Sequence, residues 1–211
     1  SLIEKNNGPT KKLIFNKLIY LIEQFFETSA LYNQKKCHVS PSLAVSHPNV
    51  NKEFEKESQW ISTCAGIFKK SLFTKYCFPK NFVTYSNNEY LMFSYQLFKY
   101  KEGRMIYTSK AKYRDLQTKS GRLKKIELMY QIEAYDLYIF IRLFNLNLKN
   151  IFIFLKSRIG HLIYYFGSSI LKKESSLKIY YHSIKSIIYP FINIKSIIKG
   201  DLSFYENDFP F

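Results

Sequence analysis

Hydrophobic residues recur at helical spacing in the first part of the chain. In residues 13–33 the apolar side chains fall on one face of a helix, and Lys17 and Glu23 lie off that face. This pattern predicts a helix that packs into a core, in preference to one that binds a partner. Residues 35–50 show no period and contain two prolines, which predicts a loop.

A second helix is predicted from Asn51, which can cap it. Apolar residues from Phe54 to Phe68 recur at roughly helical intervals, and three glutamates lie near the positive end of the helix dipole. Residues 82–98 follow a different pattern, because apolar and polar positions alternate on both sides of a polar turn at 86–88. That alternation predicts a hairpin of two strands.

Three apolar runs follow one another in the most hydrophobic segment of the chain, residues 138–169. The runs are residues 138–143, 151–155 and 162–166. Asn145 and Asn147 lie between the first run and the second, and a turn around Gly160 precedes the third. Short polar turns between strand-like runs predict an antiparallel meander. Because each run is apolar on both faces, helices are expected to cover it.

The end of the chain predicts a helix and then a strand. Residues 177–190 carry apolar side chains at helical spacing, and Pro190 is expected to stop that helix. Residues 193–199 read as a strand that ends at Gly200. Residues 126–136 fit either a helix or a strand.

These elements together predict an α+β protein. Its core is an antiparallel or mixed sheet, formed by a three-stranded meander, a helix and a strand. The expected division is an N-terminal helical and hairpin extension at 1–100, a basic connector at 101–135 and an α/β core at 136–211.

Four charged residues argue against a membrane span in the hydrophobic segment. They are Arg142, Lys149, Lys156 and Arg158. The longest uncharged piece there, residues 159–171, has 13 residues, whereas a spanning helix needs about 20. The sequence therefore predicts no transmembrane span and leaves a peripheral membrane contact open.

The charge of the chain calls for an anionic partner. Lys and Arg number 32 against 16 Asp and Glu, which gives a net charge of +16 and a pI near 9.6. Nucleic acid is the commonest partner of such a chain, and an anionic lipid surface is the second. The excess is densest in residues 101–125, where Tyr107 and Tyr113 lie among the basic residues. Basic side chains contact phosphates and aromatic rings stack on unpaired bases, although an ordinary solvated linker has a similar composition.

Residue usage and cysteines add information on origin. Lys, Ile, Phe, Tyr and Asn are abundant while Arg occurs five times, which is typical of an AT-rich genome such as that of an organelle. The three cysteines are odd in number and form no CxxC, so a reducing compartment is expected.

Motifs that carry chemistry are missing from the sequence. It contains no phosphate-binding loop, dinucleotide fingerprint, zinc-protease motif or nucleophile elbow. Cys37, His38 and His47 do not supply the paired spacing of a zinc site. The sequence thus predicts a protein that is not an enzyme and that needs no metal or cofactor.

Residues 138–200 resemble the eleventh family of small-subunit ribosomal proteins, which bind ribosomal RNA at the platform. Phe144, Asn145 and Asn150 fit the family's first turn, and Gly160 fits its hairpin glycine. The end of the family's third strand matches Tyr165, Gly167, Ser168 and Ser169, and its basic loop matches Lys172, Lys173, Ser175, Ser176 and Lys178. The family's helix entry matches Tyr180 or Tyr181, and its strand ending in Lys-Gly matches residues 194–200.

The chain departs from that family in two places. The family's glycine-rich loop is replaced by Leu171-Lys172-Lys173-Glu174. The family's basic tail has no counterpart in the final residues, DLSFYENDFPF. A shorter segment, residues 46–58, resembles the Ser-Pro-His-Val-Asn-Lys loop of the tenth small-subunit family, with His47 and Pro48 transposed. Both resemblances imply an organellar ribosome.

The resulting hypothesis is a structural constituent of a mitochondrial small ribosomal subunit, located in the matrix. Its expected partners are ribosomal RNA and neighbouring ribosomal proteins. The candidate RNA-binding residues are Arg104, Lys110, Lys112, Arg114, Lys119, Arg122, Lys124, Lys125, Asn145, Asn150, Lys156, Arg158, Ser168, Ser169, Lys172, Lys173 and Lys178. The alternatives are a peripheral subunit of an organellar membrane complex and an enzyme with an unrecognised site.

Overall fold

The structure is a computed structural model, and most of the residues that it describes are helical. The described residues are 10–28, 31, 37–46, 54–61, 66–78, 82, 88–110, 124–171 and 177–209. The helices are α1 (Thr10–Phe26), α2 (Leu72–Lys75), α3 (Glu89–Lys99), α4 (Lys125–Leu143), α5 (Leu148–Leu171), α6 (Leu177–Ile192), α7 (Ile194–Lys199) and α8 (Ser203–Asp208). Two short strands, β1 (Glu55–Glu57) and β2 (Ile106–Thr108), pair antiparallel with Lys56 opposite Tyr107.

The predicted α+β fold with a three-stranded meander is wrong. Residues 138–143 end α4, and residues 151–155 and 162–166 both lie inside α5. Helix α4 packs against α3, α6 and α7, so most of its circumference is buried. A helix covered on several sides is apolar all round, and over a few residues that pattern matches a buried strand.

Three smaller predictions also need correction. The hairpin predicted at 82–98 is replaced over its second half by α3, and the strand predicted at 193–199 is replaced by α7. The helix predicted from Asn51 contains β1 instead. In the first two cases the apolar positions fit two periods, and packing decided between them. Strand β1 consists of the charged residues Glu55, Lys56 and Glu57, and its pairing with β2 replaces the expected first turn of the helix.

The helices predicted in residues 13–33 and 177–190 are confirmed as α1 and α6. Pro190, however, lies inside α6 and does not stop it. It sits in the last turn, where its missing N–H removes a single backbone hydrogen bond. Gly200 does end the following element, because its φ of +85° is a left-handed conformation suited to glycine after α7.

Helices α4 and α5 form an antiparallel hairpin. Asn147 caps α5, since its Oδ1 accepts a hydrogen bond from the N–H of Asn150 at 2.9 Å. The Asn150 side chain donates in turn to the carbonyl of Asn145 at 2.9 Å, which closes the turn. The rings of Phe140 and Phe154 then stack across the hairpin with centroids 4.4 Å apart.

The core lies around α4, and α3 connects two parts of it. The larger cluster includes Leu91, Tyr135 and Ile139, which are fully buried. A smaller cluster centres on Phe93, whose ring stacks on that of Phe78 with centroids 4.7 Å apart. Leu91 and Phe93 are both on α3, so this helix contributes to both clusters.

The end of α1 approaches α5 at Gly160. A Cβ built on Gly160 would lie 2.3 Å from the Cβ of Phe26 and 2.4 Å from the Cγ2 of Thr28. Both distances are far below van der Waals contact, and the Cβ of Phe26 is fixed to the backbone. A side chain at Gly160 would therefore push the end of α1 away from α5.

We expect Gly160→Ala to destabilise the protein by roughly 1–3 kcal/mol, because the added methyl overpacks the contact. Helix propensity alone predicts that Gly160→Ala stabilises the protein, since alanine is favoured over glycine in a helix by about 1 kcal/mol. Urea unfolding followed by circular dichroism measures the free energy of unfolding and decides between the two expectations. Lys149→Ala, on an exposed position of α5, is the control and should change the free energy of unfolding by less than about 0.5 kcal/mol. A Gly160→Ala variant more stable than the wild type would contradict the close approach.

Candidate functional site

A cluster of charged side chains lies buried between α4 and α5. Arg158 extends from α5 with its side chain 4 % exposed, and its Nη1 contacts Asp136 Oδ2 at 2.8 Å and Glu133 Oε2 at 3.1 Å. His161 Nδ1 lies 2.8 Å from the other oxygen of Glu133, whose side chain is fully buried. We call Glu133, Asp136, Arg158 and His161 the α4–α5 charge cluster.

The spacing of these residues explains how they meet. Glu133 and Asp136 are three apart on α4, and Arg158 and His161 are three apart on α5, so each pair lies on one helix face. The antiparallel hairpin brings the two faces together in register. Two carboxylates from one helix therefore oppose a guanidinium and an imidazole from the other.

Other parts of the chain complete the hydrogen bonding of the cluster. The Arg158 Nη2 donates to the carbonyl of Ser42 at 3.3 Å, and the Asn88 Nδ2 donates to Asp136 Oδ1 at 2.9 Å. Ser157 Oγ accepts from Arg158 Nε at 3.2 Å. These bonds tie segment 37–46 and the start of α3 to the α4–α5 hairpin.

The electrostatics of the cluster keep Glu133 and Arg158 ionised. Burial raises the pKa of Glu133, but the neighbouring Arg158 and His161 more than offset this, and the pKa is lowered overall. Burial likewise lowers the pKa of Arg158, and Glu133 and Asp136 reverse that effect and raise it. Burial raises the pKa of the nearby Tyr165 well above its usual range, and the Glu133 charge adds to the rise.

A cavity of about 500 Å³ borders the cluster and is lined in part by Glu23, Glu27 and Tyr164. Glu27 is already engaged there, because it accepts hydrogen bonds from Ser40 and from Ser42 Oγ, the latter at 2.8 Å. Its Oε1 also lies 3.6 Å from Lys156 Nζ. The charges around this cavity thus bind one another, and their clearest effect is to hold α1, α5 and segment 37–46 together.

Two of the predicted RNA-binding residues are largely buried, and two others help to close the α4–α5 turn. Arg158 is buried in the charge cluster and cannot reach a phosphate, so we remove it from the predicted contacts. Lys156 is mostly buried beside Glu27. Asn145 and Asn150 contribute a carbonyl and an amide to the α4–α5 turn, so part of their hydrogen-bonding capacity is used there.

The exposed predicted residues are spread over several elements. Arg104 and Lys110 lie on either side of β2, and their side chains come within 3.9 Å of Glu57 and 3.7 Å of Glu55 on β1. Lys124 precedes α4 and pairs with Glu127 at 3.7 Å, and Lys178 is exposed on α6. Surface ion pairs of this kind contribute about 0–1 kcal/mol, so phosphates can replace them readily.

The remaining predicted residues are only partly described or lie outside the described residues. Lys125, Ser168 and Ser169 belong to α4 and α5 by their backbones. Those outside the described residues are Lys112, Arg114, Lys119, Arg122, Lys172 and Lys173. Among the described residues, the predicted ones are therefore not gathered on one surface.

One basic surface on α6 was not predicted from the sequence. Lys178, Tyr181, His182 and Lys185 lie at positions i, i+3, i+4 and i+7, which share one helix face. Lys185 Nζ is 4.6 Å from the centroid of the Tyr181 ring, and the ring centroids of Tyr181 and His182 are 5.4 Å apart. We call these four residues the basic–aromatic face. Their spacing was readable in the sequence once residues 177–190 were predicted to be a helix.

The pKa of His182 is lowered on this face. Burial lowers that pKa, and the charges of Lys178 and Lys185 lower it further. The imidazole therefore stays neutral to a lower pH than usual. On the inner side, His182 Nδ1 lies 3.2 Å from the hydroxyl of Tyr130, which fixes the ring orientation.

Comparisons with protein-family models, with curated proteins and with solved structures gave no match to this chain. Among the helices of the described residues, none combines the length and the hydrophobicity that crossing a membrane requires.

We expect Arg158→Met to destabilise the protein by about 3–5 kcal/mol, because it leaves two buried carboxylates without their counter-ion. Arg104→Met, on an exposed side chain, is the matched control and should change the free energy of unfolding by less than about 0.5 kcal/mol. Denaturant titration at neutral pH measures both.

The triple variant Arg158→Met, Glu133→Gln, Asp136→Asn tests the same point if the single variant does not fold. Removing the whole set of charges should recover part of the lost stability, because no unpaired ion remains in the interior. Equal effects of Arg158→Met and Arg104→Met would show that Arg158 is not the buried counter-ion.

Proposed function

We propose that this protein binds RNA through a basic surface and acts as a structural component of a ribonucleoprotein. The observation that carries this proposal is the basic–aromatic face of α6, where two lysines flank a tyrosine and a histidine. Lysines supply phosphate contacts, and aromatic rings supply stacking surfaces for unpaired bases. An anionic lipid surface would also attract the lysines, and stacking on unpaired bases is the interaction that RNA adds to this attraction.

The distribution of charge supports the same proposal. Folding takes Glu27, Glu133 and Asp136 into contact with Lys156 and Arg158. Three negative charges are thus paired internally with two positive ones. The remaining residues therefore carry one positive charge more than the net charge of +16 of the whole chain. A surface with such an excess attracts polyanions over a distance set by the salt concentration.

The salt dependence of RNA binding tests the proposal. We expect Lys178→Ala/Lys185→Ala to weaken binding to a labelled RNA hairpin with an unpaired loop. The slope of log affinity against log salt should fall by about two, one for each lost phosphate contact. Fluorescence anisotropy over a salt series gives both values.

The matched control is Lys69→Ala/Lys70→Ala, which removes the same charge from exposed positions outside α6. This variant should change the slope less than the α6 variant does. Equal slopes for the two variants would remove the basic–aromatic face from the proposal. Wild-type binding that does not depend on salt would contradict the role of phosphate contacts altogether.

We further propose that the ribonucleoprotein is the small subunit of a mitochondrial ribosome. This narrower assignment rests on the resemblance of residues 138–200 to the eleventh small-subunit family and on the residue usage typical of an AT-rich organelle genome. The strands that the resemblance implied are helices in this protein. The resemblance therefore rests on the sequence likeness alone.

Sedimentation of a mitochondrial lysate tests the narrower assignment. We expect the protein to migrate with the small ribosomal subunit, and sequencing of crosslinked RNA should place its contacts in one group of ribosomal RNA helices. A high-salt wash should release part of it, since phosphate contacts weaken with salt. Migration with a membrane complex and without crosslinked RNA would overturn the assignment.

A further inference from the structure

An exposed line of apolar side chains runs along α5. Its members are Leu148, Phe152, Leu155, Ile159, Ile163 and Phe166, and between 39 % and 87 % of each residue is exposed. Successive members are three or four residues apart, so they lie on the same side of the helix. We call them the α5 stripe. Its two ends are 18 residues apart, which corresponds to a length of about 27 Å.

The shape of the stripe favours a helix as its partner. A spacing of three and four residues produces a narrow line, which is typical of the seam between two packed helices. A helix that lies on a membrane presents a broader apolar face. RNA suits the stripe poorly, because most of its members are aliphatic and offer neither a stacking ring nor a hydrogen bond.

One aromatic ring of a neighbouring helix adjoins the stripe. At the C-terminal end of the stripe, the rings of Phe166 and of Tyr180 on α6 have centroids 5.3 Å apart, and both side chains are exposed. A partner that covers this end of the stripe therefore also meets Tyr180.

The charge beside the stripe determines what kind of helix fits. Helix α5 contains no acidic residue, and two of its three basic residues, Lys156 and Arg158, are paired with acids inside the protein. Lys149 is exposed next to Leu148 and is available to a carboxylate. A second copy of this chain would bring another net charge of +16 to the same place, which disfavours self-association.

We propose that the α5 stripe is the docking site for an amphipathic helix of another protein, with acidic residues beside its apolar positions. Leucine-like side chains of that helix pack between the stripe residues, and a carboxylate pairs with Lys149. The site is separate from the basic–aromatic face, so protein docking and RNA binding can be disturbed independently.

A designed peptide tests the docking site on the full chain. The probe is a labelled amphipathic helix with leucine at the a and d positions and glutamate at e and g. At physiological salt we expect it to bind at least tenfold more tightly than the same peptide with lysine at e and g. Phe152→Ser/Ile159→Ser should weaken binding at least tenfold, although it leaves the charge of the protein unchanged.

Two further variants test whether peptide binding is specific to the stripe. Ile67→Ser, at a residue that is 98 % exposed and outside the stripe, should leave peptide binding unchanged. Lys149→Glu should weaken binding of the glutamate peptide and not that of the lysine peptide. Circular dichroism melts should agree between all variants and the wild type, because the changed residues are exposed.

Three results would overturn the proposal. The first is equal binding of the glutamate peptide by the stripe variant and the wild type. The second is a stable dimer, seen by analytical ultracentrifugation, that Phe152→Ser/Ile159→Ser dissociates, because the stripe would then bind a second copy. The third is flotation with anionic phosphatidylserine vesicles that is lost in the same variant, because the occupant would then be a membrane.

Discussion

The contact of Arg158 with Glu133 and Asp136 is the interaction on which the arrangement of the helices depends. A buried guanidinium has a large desolvation cost, and a buried carboxylate has a similar one, so each is tolerated only beside the other. The pairing fixes the register of α4 against α5, because a shift by one turn would separate the charges. Through Ser42 and Asn88 it also sets where the N-terminal segment and α3 join the hairpin.

The interior charges and the surface charges have different roles as a result. The cluster specifies one packing of the hairpin, and it draws acids inward, while most lysines in the described part of the chain are exposed. The outer side of α6 then presents cations with aromatic rings, and the outer side of α5 presents apolar residues with a lysine beside them. Two chemically distinct surfaces thus lie on adjacent helices of one small protein, which suits a component that contacts both RNA and protein in an assembly.

The sequence allowed the helices with a single apolar face to be predicted, and not those with apolar residues on more than one side. Helices α1 and α6 have an apolar face and a polar face, so their period was visible. Helices α4 and α5 have apolar residues on more than one side, and a short window of such a helix matches a strand. The charge cluster was missed for a related reason. The counter-ions of Arg158 lie more than 20 residues earlier, in a segment whose structure was undecided. The basic–aromatic face, by contrast, required only the helix that was correctly predicted.

The chain separation of the partners of Arg158 has a consequence for the order of assembly. Asp136 and Glu133 are 22 and 25 residues away along the chain, whereas Ser42 is 116 residues away. Closing a short loop costs less conformational entropy than closing a long one, so the hairpin contacts can form before the N-terminal segment arrives. Until then part of the Arg158 guanidinium faces water. It loses that water only when the carbonyl of Ser42 packs against it. During synthesis, segment 37–46 emerges first and therefore has to wait for α5 before it can take this place.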